Sequence, residues 1–380
     1  MPTADHAAIS GFLGTRVDRG DVPAVVAAVS NRNALLYVGA FGKCDVARNI
    51  DATTDTIFRI ASMTKPVTSL AIMMLYDAEQ IALDAPVTTY LPDYRQPPVL
   101  TRFTGADLTC DSRPARRPLT IRDLLTHTSG VGYPFLAPVL ARLSTAGTRD
   151  RDLPLLHDPG ARWTYGPNTA ILGRVVARVS GGTLDAFCQA RIFDPLGMVD
   201  TGYDVPPEKR DRVATEHRRD ASGKLAERPN PATIQSRGRG DDGLFSTARD
   251  YSAFMRLFLN GGRHGTARLV REETIRMMVI NQIGQLTVAR QVAADPLIAR
   301  EFGMGKDKFG FGFHIETEPS ERGMRTPGSL SWAGILNTHF WIDPRKQIAA
   351  VVLMQLLPAY DDRVVDLLQG FERLVYVSFQ

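Results

Sequence analysis

The stretch that decides the reading is Thr56-Ile-Phe-Arg-Ile-Ala-Ser62-Met-Thr-Lys65-Pro-Val-Thr-Ser-Leu-Ala-Ile-Met-Met-Leu-Tyr76. After Pro66 almost every residue is apolar and a good helix former. A helix without a polar face belongs in the middle of a molecule. Pro66 is tolerated because it falls in the first turn. Ser62 and Lys65 stand at the head of this helix, and residues at i and i+3 share a face. A serine hydroxyl is a weak nucleophile until a neighbouring base takes its proton. A lysine serves as that base when burial disfavours its ammonium form. The helix N-terminus adds partial positive charge, which favours a developing oxyanion. The spacing S-x-x-K also arises by chance in long chains, so the motif needs companions.

Working outward, residues 9–17 carry apolar side chains at helical spacing, with Gly20 as a stop. Two strand-like runs, 24–30 and 34–39, flank Asn31-Arg32-Asn33, which suits a hairpin. Towards the C-terminus, 250–260 reads as an amphipathic helix closed by Gly261-Gly262. Residues 311–316, 338–342 and 348–354 read as strands, and 364–379 as a closing helix. Strands at both chain ends predict one sheet assembled from the two termini. Between them, 85–235 is proline-rich with helical stretches at 121–125, 170–179 and 184–192. It reads as a mainly helical insertion. The expected division is therefore 1–84 with 236–380 as an α/β sheet domain, and 85–235 as a helical domain. Residues 206–242 are polar and rich in Arg, Asp, Pro and Gly, and read as a long surface excursion.

Composition narrows the function classes. The 380 residues are 44% apolar and 23% charged, which is ordinary globular usage and excludes rods and disordered tails. The balance of 45 basic and 41 acidic residues gives +4, with no dense basic block, so nucleic acid is not an expected partner. Cys44, Cys110 and Cys188 are far apart, so neither a disulfide framework nor a zinc ribbon is indicated. The seven histidines lack metal-ligand spacing. No apolar run is long enough to span a bilayer, and the first residues do not read as a secretory signal. The expectation is a cytoplasmic protein without membrane contact, metal or cofactor. Gly238-Arg-Gly240-Asp-Asp-Gly243 spells G-x-G-x-x-G, but no strand precedes it and its aspartates would repel a pyrophosphate. A G-x-S-x-G elbow is missing too, which argues against an α/β-hydrolase.

Two further segments carry candidate chemistry. In Trp163-Thr-Tyr165-Gly-Pro-Asn168, the Tyr165 phenol can share a proton with Lys65 and relay it to a leaving group. Asn168 offers an amide to a substrate carbonyl or to the lysine. The plainer alternative is a half-buried tyrosine at a helix start, with asparagine as N-cap. In Trp332-Ala-Gly334-Ile335, the glycine permits close approach to the backbone. The Ile335 N–H can pair with that of Ser62 as an oxyanion hole, and Trp332 can wall an acyl pocket. An ordinary strand with aromatic packing is the alternative. His127 reads as structural, holding a loop by hydrogen bonds.

Taken together and in this order, the segments resemble the serine β-lactamase and penicillin-binding-protein superfamily in its class C-like branch. The nearest likeness is to family VIII carboxylesterases and lovastatin-type acyltransferases. Phe58 to Lys65, Leu124-Leu-Thr-His-Thr-Ser-Gly130, Asp158 to Tyr165, Gly243-Leu-Phe-Ser-Thr247 and Trp332 to Pro344 carry the likeness. The resemblance implies an α+β fold, with an antiparallel sheet flanked by helices and a helical domain beside it. It implies Ser62 as acylated nucleophile, Lys65 and Tyr165 as general-base pair, and the Ser62 and Ile335 N–H groups as oxyanion hole. The chain departs from the β-lactam-processing members in lacking K-T-G. It reads Trp332-Ala333-Gly334 there, and an indole forms no salt bridge with a substrate carboxylate. Asn168 also falls one residue later than the asparagine of β-lactamases. The expected substrate is a small-molecule carboxylic ester with a short or medium acyl chain.

Overall fold

A computed structural model describes residues 6–104, 109–236, 238–293, 295–296, 298–299, 305–319 and 324–379. Its centre is an eight-stranded sheet made from the two ends of the chain. The strands are β1 (Ala24–Asn31), β2 (Leu35–Asp45), β3 (Ile50–Asp51), β4 (Lys308–Phe309), β5 (His314–Ile315), β6 (Leu330–Gly334), β7 (Thr338–Asp343) and β8 (Ile348–Leu353). Their spatial order is β4-β5-β6-β7-β8-β1-β2-β3, with every pairing antiparallel. β1 and β8 join the two ends, with Val26 opposite Leu353 and Asn31 opposite Ile348. The turn between β1 and β2 is held by the Asn31 side chain, which accepts the N–H groups of Asn33 and Ala34.

Side chains alternate across a strand, so one sheet supplies two cores. On one face Val25, Ala27, Val29, Trp341, Ala350 and Val352 meet α1 (His6–Asp18) and the closing helix Asp362–Ser378. On the other, Val26, Ala28, Phe340, Ile342 and Val351 meet α2 (Thr64–Asp77) and the helix Ala248–Leu259. All of Thr64 to Leu75 is buried, as expected of a helix without an extended polar face.

The elements read from periodicity fall close to their expected places. Three readings change. The run 311–316 reaches the sheet only at His314–Ile315, because Gly312 is left-handed at φ +92° and breaks the extended backbone before it. The segment 85–235 holds two hairpins beside its helices, Val99–Thr104 with Thr109–Arg113, and Glu216–Arg219 with Leu225–Arg228. Residues 206–242 are not simply a surface excursion. Their hairpin pairs in parallel with Leu356–Leu357, and Arg219 forms a buried ion pair with Asp361 at 2.9 Å. Their far end turns inward to the site described next.

Candidate active site

The site begins at the junction between the strand Phe58–Arg59 and α2. Ala61 is left-handed at φ +45°, a conformation that costs a non-glycine residue about 1–2 kcal/mol. It turns the chain so that Ser62 faces a cavity of about 190 Å³. The strained turn is fastened on several sides. Ile60 N–H donates to Leu244 O at 3.0 Å, Tyr251 Oη to Met63 O at 3.0 Å, and Leu244 N–H to Thr64 Oγ1 at 3.2 Å. β6 lies directly against it. A Cβ on Gly334 would sit 2.5 Å from Ile60 O and 3.2 Å from Ala61 Cβ, so only glycine allows that approach.

Lys65 Nζ lies 2.9 Å from Ser62 Oγ and donates to Asp241 O at 2.8 Å. Tyr165 Oη lies 2.8 Å from Ser62 Oγ on the other side. Lys65 is buried, with Nζ 4.9 Å from the Tyr165 ring centre and 5.4 Å from that of Tyr133. One hydroxyl thus has two proton-exchanging groups in contact, both held in place. Ser62, Tyr165, Trp332, Gly334 and Ile335 all line the cavity. The Trp332 ring meets the Tyr165 ring edge-on at 5.1 Å and forms part of the wall.

Asn168 lies elsewhere. It is fully buried at the start of the helix Asn168–Ser180 and outside the lining of the cavity. Its Oδ1 accepts the Ser129 hydroxyl, and its Nδ2 donates to His127 Nδ1 at 2.7 Å. Both ends of the amide are occupied, so it anchors a loop and does not face substrate. Burial, with the Lys65 charge nearby, holds His127 down at about 3, which keeps its Nδ1 a neutral acceptor. Its ring packs 5.2 Å from that of Tyr165, so His127 backs the phenol as well as the loop.

Four contributors carry no motif that singles them out in the sequence. Tyr133 Oη donates to Asp241 Oδ2 at 2.7 Å, and Arg239 holds the same carboxylate through Nε and Nη2 at 3.0 and 2.9 Å. Burial would raise the Asp241 carboxyl, but Lys65, Arg239 and Tyr133 together hold it below the usual carboxylate range. Burial and the neighbouring anions push the Tyr133 phenol well up, so it remains a donor. Tyr360 completes the cavity wall. Asp241 and Arg239 belong to the glycine-spaced segment 238–243, which carries them into the cavity lining.

Cys44, Cys110 and Cys188 are free thiols. Among the described residues, no His, Cys, Asp and Glu side chains group in threes to hold a metal ion, and no helix is long and apolar enough to cross a membrane.

An antiparallel sheet between helices, with S-x-x-K at the head of a buried helix and a tyrosine opposite, defines a β-lactamase/transpeptidase-like protein. The chain belongs to the beta-lactamase family, which it matches over residues 9–373. It is 34% identical over 360 residues to protein Rv1367c of Mycobacterium tuberculosis, covering 90% of this chain and 88% of that one. It is 31% identical over 394 residues to the lovastatin esterase of Penicillium rubens, covering 96% of each. A variant of simvastatin synthase from Aspergillus terreus superposes with a TM-score of 0.85 at 27% identity, covering 98% of this chain and 97% of that one. Relatives of the chain thus include both an esterase and a synthase.

Proposed function

We propose that the protein is a serine carboxylesterase acting on short- to medium-chain esters through an acyl-enzyme. The observation that carries this reading is the pair of contacts at Ser62 Oγ, 2.9 Å to Lys65 Nζ and 2.8 Å to Tyr165 Oη. The Lys65–Tyr165 pair, in the form that carries one proton fewer than ammonium and phenol together, takes the Ser62 proton as Oγ attacks the ester carbonyl. The N–H groups of Ser62 and Ile335 receive the oxyanion, a contribution worth about 10²–10³ in rate for one such donor. The carbonyl re-forms, the C–O bond to the alcohol breaks, and the alcohol leaves with the proton returned through Tyr165. Water then attacks the acyl group, giving its proton to the same pair, and Ser62 is regenerated with release of the carboxylic acid. No step calls for a metal or organic cofactor. The cavity is modest and walled by Trp332, which suits a short apolar acyl chain. Among the described residues, the cation in its lining is Arg239, and it is paired with Asp241. That accords with ester over penicillin-like anion. Three free thiols accord with a reducing, cytoplasmic setting.

Ser62→Ala and Lys65→Ala should each lower kcat/KM for a chromogenic acetate or butyrate ester by about 10³-fold or more. Full activity in either variant refutes the mechanism. A phosphonate inhibitor should label Ser62, read by mass spectrometry. The likeness to simvastatin synthase favours one second reading, transfer of the acyl group to an alcohol in place of water. Product analysis with a competing alcohol separates the two.

A further inference from the structure

The three-residue turn Ile335-Leu336-Asn337 joins β6 to β7, closed by Asn337 N–H to Gly334 O at 3.0 Å. Its last residue must be left-handed, and Asn337 is so at φ +60°. Glycine would serve the backbone equally well. Asparagine brings a side chain that is fully buried, and that amide is used on a different segment. Its Nδ2 donates to Leu356 O and to Pro358 O, both at 2.8 Å, and its Oδ1 accepts Tyr360 N–H at 2.8 Å. One amide therefore holds three consecutive alternate residues of the loop 356–360. Its first two residues, Leu356–Leu357, pair in parallel with Glu216–Arg219, and further backbone bonds run from Leu356 N–H to Leu336 O at 3.1 Å, Ala359 N–H to Ile298 O at 3.0 Å and Asp361 N–H to Pro358 O at 3.3 Å. Its tip carries Ala359 and Tyr360 into the cavity beside Ser62, with Tyr360 itself left-handed at φ +57°. The same short turn carries Ile335, whose N–H belongs to the oxyanion hole of the reading above.

We infer that Asn337 is a positioning residue for substrate selection, clamping the Tyr360 wall against the turn so that the acyl room is fixed. The inference rests on the esterase reading. Asn337 touches no reacting atom. It acts through Tyr360, whose strained backbone relaxes once its N–H loses the Asn337 acceptor.

Asn337→Gly tests this, because it keeps the left-handed turn and removes the clamp, together with the 3.4 Å contact between Oδ1 and His339 Nε2. Asn337→Asp keeps the shape, but turns two donors into an acceptor facing two carbonyls. In each, kcat for a short acetate ester should stay within about threefold. The preference between butyrate and acetate, as a ratio of kcat/KM values, should shift about tenfold through KM, the scale of one or two methylene contacts with a wall. Tyr360→Ala should produce the same shift, and Asn337→Gly added to it should change the ratio no further. An unchanged ratio in a folded Asn337→Gly protein, or a fully additive double variant, overturns the clamp. An equal fall in kcat for both esters also overturns it, since that marks a general structural role. If the unmodified protein hydrolyses no ester, the esterase reading fails and the selectivity claim falls with it. Hydrolysis with an unchanged ratio sinks the clamp alone.

Discussion

Asp241 serves the site twice, with its carbonyl on Lys65 and its carboxylate between Tyr133 and Arg239. The second role keeps the first in register, because a buried carboxylate is costly unless every lone pair finds a partner. Tyr133→Phe keeps the ring beside Tyr165 and deletes one donor. It should destabilise the protein by about 1–3 kcal/mol in a denaturant titration, with a smaller loss of activity than Tyr165→Phe. A Tyr133→Phe protein of unchanged midpoint would show that the carboxylate finds another partner. These residues also mark how far the sequence is legible. Ser62 and Lys65 are readable because their contact is local, three residues apart where a helical turn leads into α2. Asp241 is not, since a backbone carbonyl is carried by any residue type and leaves no signature. Asn168 misleads for a related reason: its amide chemistry is right for a substrate, but Ser129 and His127 consume it.

At the scale of elements, Ser62 is positioned by two pieces far apart in sequence, the turn at Ala61 and the strand β6. They touch because Gly334 has no side chain. Gly334→Ala forces a methyl group against Ile60 O and Thr338 Oγ1, the pair already joined by a hydrogen bond of 3.2 Å. Overpacking of this kind costs about 1–3 kcal/mol, and the displacement falls on the Ile335 N–H. The expected result is a loss of kcat well beyond the loss of stability. Comparing kcat with the unfolding midpoint checks it, and proportionate losses would count against this placement. The elements that bring the pieces together were legible wherever burial is apolar and periodic, as in α2, β1, β7 and β8. The hairpins at Val99–Arg113 and Glu216–Arg228 were not. In the latter the inward residues are His217, whose Nδ1 meets Thr215 O at 3.2 Å, and Arg219, whose burial is supported by an ion pair with Asp361, distant in sequence. Hydrophobic patterning is blind to polar groups that satisfy one another across a fold.

Over the whole molecule, the fold buries the imidazoles of His127 and His339, whose protonation burial opposes. His127 lies behind the site, and His339 lies in β7 with its ring 5.5 Å from that of Tyr360. Burial, aided by Arg325, holds His339 down at about 3, as burial and Lys65 do for His127. Both are therefore neutral in the fold, whereas an unfolded histidine takes a proton near pH 6.5. Below that pH the unfolded chain binds more protons than the folded one, so stability falls as pH drops from about 6.5 towards 3, by up to about 1.4 kcal/mol per pH unit for each imidazole. Carboxyls raised by burial oppose this: Asp250, pushed up to about 6, and Glu316, also pushed up, favour the fold as pH falls through the same range. The total slope mixes both signs, and a difference measurement isolates one. His339→Gln shifts stability by a constant amount above pH 7, where no imidazole titrates. Between pH 6.5 and 5 its denaturant midpoint should fall less steeply than that of the unmodified protein, so the two curves converge. Curves that remain parallel from pH 7.5 to 5 would mean that His339 gains its proton without leaving the fold, and that the β7 face of the sheet is open to water.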